Sequence, residues 1–108
     1  MNIKTFFEHL NNYGFTTFVN SDGTIDIKYQ NYTCLYLIYA CSDRRLILVV
    51  PKINVYENRI ICHLSNYDKQ DLKTLSKKNL EKILTNTTVN VKHCCNIIRN
   101  NNIDKDFI

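Results

Sequence analysis

The stretch Val91-Lys92-His93-Cys94-Cys95, VKHCC, places a histidine beside two thiols in a chain that has three histidines and five cysteines. Residues of these types can ligate zinc, or they can supply a thiolate nucleophile with a neighbouring base. Zinc needs four converging donors, usually with a spaced cysteine pair, whereas these two cysteines are adjacent. Cys62-His63 is the other such pair, but it falls in a strand-like segment, where neighbours point to opposite faces and cannot share an ion. If VKHCC is helical, Val91, Cys94, Cys95 and Ile98 lie within about 100° of arc and His93 projects to the far side. A nucleophilic Cys94 or Cys95 then lacks its base, which leaves Cys41, in a turn next to Arg44, as the exposed thiol candidate. Free cysteine packs like a small hydrophobe, so Cys94 and Cys95 read as core residues. No metal and no cofactor is expected.

Asp26-Ile27-Lys28 copies the end of the metal-nuclease pattern in which one strand carries an acid, a spacer and a lysine. The spacing makes Asp26 and Lys28 neighbours on one face, as a nuclease-like enzyme needs. The second acid of that pattern is missing: Asp22 is only four residues away, inside a turn. A solvated, salt-bridged strand face is the plainer reading.

The elements that would position these residues follow from periodicity. Ile3, Phe6, Phe7 and Leu10 recur at helical spacing, and Tyr13-Gly14 ends a first helix over about 2–13. FTTFVN and TIDIKYQ flank Ser21-Asp22-Gly23 and read as a hairpin. TCLYLIYA (33–40) and RLILVV (45–50), separated by the turn Cys41-Ser42-Asp43-Arg44, are apolar at odd and even positions alike, so both of their faces must be covered. Pro51 ends the second of these, and after a polar loop over 54–58, RIICHL (59–64) forms a last strand. Beyond 65 the period is helical, with Asp68 as N-cap and Leu72, Leu75, Leu80, Ile83 and Leu84 on one face. Ser76 and Asn79 interrupt that face, so Ser76 could cap a separate helix. A final helix spans about 89–101, and 102–108 form a flexible tail. The expected fold class is α+β: an N-terminal helix, about five mostly antiparallel strands and two C-terminal helices in a single globular domain, 1–108. Its central strands need helices on both faces, or a homodimer partner on one.

No run approaches the roughly 18 apolar residues of a membrane span, and the first residues lack a signal-peptide core. An intracellular, cytoplasmic, reducing setting is expected, with the odd number of cysteines as free thiols and no membrane partner. Abundant Asn, Ile, Lys, Tyr and Phe suggest an AT-rich genome, such as that of a phage, a virus or a low-GC bacterium.

The net charge of +4 arises wholly in the second half. Lys69, Lys73, Lys77, Lys78, Lys82, Lys92 and Arg99 face only Asp68, Asp71 and Glu81, and Lys77, Lys78 and Lys82 fall opposite the leucines. A basic helical face can track phosphates, so these seven residues are the candidates for nucleic-acid binding. A helix, strands and then a helix carrying Ser76-Lys77-Lys78 resembles the double-stranded-RNA-binding domain. That resemblance implies Lys77 and Lys78 lying on RNA phosphates. The family has three strands where about five are expected here, and its glycine-rich approach to the helix is absent. Leu75 to Arg99 also has the length of a helix-turn-helix, but Thr85-Asn86-Thr87-Thr88 lacks the small-residue turn and the second helix is mostly apolar.

Tyr29, Tyr32, Tyr36 and Tyr39 crowd the sheet, and tyrosine brings large contact area at low entropic cost. They are the protein-binding candidates. The expectation is a small non-enzymatic protein that binds a macromolecular partner, first a protein, as an accessory, inhibitor or immunity-type protein does. Nucleic-acid binding through the basic helices is the alternative, and a nuclease-like enzyme the second alternative.

Overall fold

The computed structural model describes residues 1–42 and 44–106, without the side chains of 64–66 and 103–106. Asp43 of the expected turn and residues 107–108 of the expected tail lie outside the described residues. The elements are α1 (Ile3–Asn12), β1 (Phe15–Val19), β2 (Ile25–Tyr29), β3 (Tyr32–Ala40), β4 (Arg45–Tyr56), β5 (Arg59–Asp71) and α2 (Lys77–Asp106). The five strands form one antiparallel sheet in the order β1-β2-β3-β4-β5, each paired only with its neighbours in sequence. The class is α+β, with one C-terminal helix where two were expected.

α1 begins where Asn2, in extended conformation, accepts a hydrogen bond from the Thr5 amide at 2.8 Å. That bond satisfies one of the orphan donors of the first turn. Phe6 and Leu10, the centre of the apolar stripe, are fully buried. Gly14, at φ +83°, lets the chain leave the helix and enter β1. The Asp22-Gly23 turn is closed by the Gly23 amide bonding to Asn20 O, with Gly23 at φ +89°.

Two further hairpins close on two-residue turns, the second of them tighter than the sequence suggested. Gln30 and Asn31 (φ 51° and 68°) join β2 to β3, and Glu57 and Asn58 (φ 51° and 60°) join β4 to β5. Paired positive φ values match the right-handed twist of the flanking strands. The polar stretch over 54–58 is therefore mostly strand and a two-residue turn, not a loop.

Pro51 does not end β4. The β3–β4 pairing stops at Tyr36↔Val49, so Pro51 sits where β4 retains only β5 as a neighbour and needs no N–H for β3. At that point the β4–β5 register shifts, from Pro51↔Tyr67 to Lys52↔His63. Beyond it the two strands continue as a hairpin arm, tied back to β3 by the Cys62 thiol, which donates to Thr33 O at 2.9 Å. Residues 68–71, expected to open a helix at Asp68, are the end of β5. Asp71 instead holds the following turn, accepting from the Lys73 amide at 2.9 Å, and pairs with Arg45 at 3.4 Å.

Ser76 caps α2, its Oγ accepting from the Asn79 amide at 3.1 Å. The helix then runs 30 residues without interruption, about 45 Å. The threonine-rich segment read as a break stays helical because its hydroxyls bond back to their own helix. Thr87 Oγ1 donates to Ile83 O at 2.7 Å and Thr88 Oγ1 to Thr85 O at 2.8 Å. Leu80, Leu84, Thr87, Val91 and Cys94, at alternating spacings of four and three, form its buried stripe. No described helix is long and apolar enough to cross a membrane.

Residues opposite each other in an antiparallel pair share a face. One face of the sheet carries Ile27 opposite Leu35, and the row Ile25, Leu37 and Leu48. These join Phe6 and Leu10 of α1 and Leu80, Leu84 and Val91 of α2 in a single core cluster. Both helices therefore cover the same face. Helices on both faces of β3 and β4, one of the two ways expected to cover them, are not found: no described helix lies on the opposite face.

Candidate functional site

The helix-free face is built from the alternate residues of the same strands. One row across the sheet reads Phe18 (β1), Asp26 (β2), Tyr36 (β3), Val49 (β4) and Lys69 (β5), and the next holds Ile38, Ile47 and Asp71. Tyr36, Ile38 and Ile47 are only half-buried, while Phe18 is 57 % and Tyr67 40 % exposed. A shallow groove of about 460 Å³ runs over this face, floored by Tyr36, Ile38 and Val49, with Asn20, Thr24 and Asp26 on one wall and Tyr67 on the other. Burial, and behind it the charges of Cys62, Asp26 and Cys34, push the Tyr36 phenol up. It enters the groove as a neutral hydrogen-bonding group.

The margins carry charge of both signs. Asp26 accepts a hydrogen bond from Asn20 Nδ2 at 3.0 Å. Lys28 lies 5.5 Å from the Phe18 ring centroid and Lys69 5.4 Å from that of Tyr67. In each of these cation–π contacts the ring supports the ammonium at the edge of an apolar floor. Asp26 and Lys28 are side by side, as their spacing required, but each is already partnered. Asp22 is engaged as well: the Thr24 hydroxyl and then the Thr24 amide hold its carboxyl below the ordinary value.

The four tyrosines expected to share the sheet surface are divided between its two faces. Tyr36 alone lies on the helix-free face. Tyr29 packs on the helix side, with its ring 5.2 Å from Phe15. Tyr32 pairs with Tyr29, and Tyr39 pairs with the core-facing Leu46, so both also belong to the helix side. Tyr39, three residues from Tyr36, is on the other face by simple alternation, whereas Tyr32 is moved there by a β-bulge: Ile27 faces Leu35 while Lys28 faces Thr33, which leaves Cys34 as an extra residue. Cys34 and Leu35 both turn into the core, and the parity of the strand changes there.

The basic residues are likewise divided. Lys69 is on β5, at the margin of the helix-free face, not on a helix. Lys73 follows β5 and lines a second groove of about 480 Å³ with Tyr39, Arg44 and Arg45. Lys77, Lys78, Lys82, Lys92 and Arg99 are exposed on α2. Lys78, Lys82 and Lys92 project away from the buried stripe, but ten residues, about 15 Å, separate the last two.

VKHCC takes the orientation expected of it: Cys94 is buried, Cys95 half-buried and His93 exposed. All five cysteines are free. Cys62 and His63 diverge, the thiol to Thr33 O and the ring to the Asn54 side chain at 3.2 Å. Among the described residues no three acids, histidines or cysteines are grouped to hold a metal ion.

Phe18, Ile38, Ile47, Val49 and Tyr67 were not singled out from the sequence. The signal for three of them was present, because strands apolar at every position must expose one apolar row unless something covers it. Tyr67 was hidden by ending the last strand at 64. The chain matches no protein-family model, no curated protein and no solved structure.

Proposed function

We propose that this protein works without catalysis, by binding another protein chain through the helix-free face of its sheet. The observation that supports this reading is the patch of half-buried apolar side chains, Tyr36, Ile38 and Ile47, between charged margins on the sheet face opposite the one that carries the helices and the core. A contiguous apolar patch with a polar rim is the usual anatomy of a protein interface. Small accessory, inhibitor or immunity-type proteins act in this way. Free thiols suit a reducing cytoplasm, the setting in which we place it.

Nucleic-acid binding is the competing reading, and it uses a different surface. The outer side of α2 offers Lys78, Lys82 and Lys92 to a phosphate backbone, but widely spaced and interrupted by the exposed Val89. Two variants separate the readings. Ile47→Lys places a charge in the middle of the apolar face, and the triple variant K77E/K78E/K82E reverses the helix. Capture from the native cell after nuclease treatment should recover the same protein with wild type and with the triple variant, and lose it with Ile47→Lys. The reverse pattern, with capture that vanishes on nuclease treatment and falls steeply with salt, would move the function to α2.

A further inference from the structure

We infer that the chain covering this face is a second copy of the same protein, packed on it about a two-fold axis that runs along the strands between β3 and β4. The inference rests on the docking reading above and names its occupant. In the row Asp26, Tyr36, Val49 and Lys69, the acid stands at one margin and the base at the other. A two-fold axis parallel to the strands exchanges β3 with β4 and β2 with β5. Tyr36 then lies over Val49 of the partner subunit, Ile38 over Ile47 of the partner subunit, and Asp26 over Lys69 of the partner subunit. Each contact occurs twice, as an isologous interface requires.

This charge arrangement selects against other occupants. A basic partner laid across the row meets Lys69 with like charge, and an acidic one meets Asp26. The same face, rotated, satisfies Asp26 and Lys69 at once, whereas like charges held in apposition oppose association. The strands of the two sheets run nearly parallel in this arrangement, the aligned packing typical of sandwiches. β3 and β4 pair over Tyr36–Ala40, so four strands at ~4.8 Å spacing and about five residues at ~3.4 Å give a footprint of roughly 330 Å² per copy. The buried total, roughly 650 Å², lies below the ~1,000 Å² usual for a stable specific interface, so the dimer is weak and dissociates on dilution.

The experiment is sedimentation of the full chain across a concentration series, for wild type, Asp26→Lys, Lys69→Asp and the double variant. Each single reversal sets like charges opposite each other in both contacts and is expected to weaken dimerisation by about tenfold or more, while the double variant returns to within about threefold of wild type. Asp26→Asn keeps an acceptor for Asn20 and removes only the charge. It separates a lost ion pair from a disturbed turn, and it is expected to weaken the dimer less than Asp26→Lys while melting like wild type. A dimer indifferent to Asp26→Lys and to Lys69→Asp, or a double variant no better than the single ones, overturns the inference. A wild type that stays monomeric at every concentration also overturns it, yet leaves the docking reading to the capture experiment with Ile47→Lys, so the two can fail separately.

Discussion

Truncating Leu84 to alanine is expected to remove about 3–5 kcal/mol of stability, the range for a fully enclosed leucine whose surroundings cannot collapse into the space left behind. Leu84 is 0 % exposed and sits in the centre of the stripe Leu80, Leu84, Thr87, Val91 and Cys94 by which α2 meets the sheet. Domains of this size have a total stability of about 5–15 kcal/mol, so the change removes a large share of it. Lys82→Ala, on the outer side of the same turn, is expected to stay within about 0.5 kcal/mol of wild type. Denaturant titration of the two variants measures the contrast. A loss under about 1 kcal/mol for Leu84→Ala would mean that α2 is not seated on the sheet by this stripe.

Alkaline pH should destabilise the protein through its buried thiols. Burial, reinforced by the nearby Cys62, pushes the Cys34 thiol from an ordinary 9.0 up to about 12. Cys62 and Cys94 are raised for the same first reason, with the thiols of Cys94 and Cys95, respectively, as their second. Above pH 9 the unfolded chain releases the Cys34 proton while the folded chain keeps it. The native state then binds more protons than the unfolded one, so stability is full below pH 9 and falls as pH rises toward 12. For one such thiol the slope is about 1.4 kcal/mol per pH unit. Stability measured from pH 8 to 11 should therefore fall more steeply in wild type than in Cys34→Ala, whatever offset the lost sulfur adds at neutral pH. Parallel curves would show that Cys34 ionises in the fold as readily as out of it.

The first half of this fold could be read from its residues because local signals and tertiary structure agree there. The stripe Ile3, Phe6, Phe7 and Leu10 is a helix, and Asp22-Gly23 is a hairpin turn. The second half was misread where tertiary context overrides a local signal. Pro51 is a strand breaker only where the strand on its N–H side needs that donor, and β3 has already ended beside it. Glu57-Asn58 makes a turn usually marked by glycine. Thr87 and Thr88 look like a loop until their hydroxyls find carbonyls of their own helix. The candidate face depended on one more such feature, the bulge at Cys34. Simple alternation puts Tyr32 and Tyr36 on the same side, and no glycine betrays the extra residue that separates them. Lys69 was noticed for its charge but assigned to a helix, so its place opposite Asp26 across the sheet could not be foreseen.

The strict neighbour-to-neighbour order of the strands also shapes how the chain reaches this structure. With every pairing closed by a short turn, loop closure costs little, and folding of the sheet belongs to the faster, local end of the range, on the order of milliseconds. Ribosomal synthesis is far slower than that, so α1 and the meander can be complete while α2 is still being made. Until the stripe from Leu80 to Cys94 emerges, Leu35, Leu37 and Leu48 lie open to water on one side while Ile38 and Ile47 lie open on the other. The nascent sheet is thus apolar on both surfaces at once, the interval in which an unfinished chain is most prone to self-association and most dependent on chaperones.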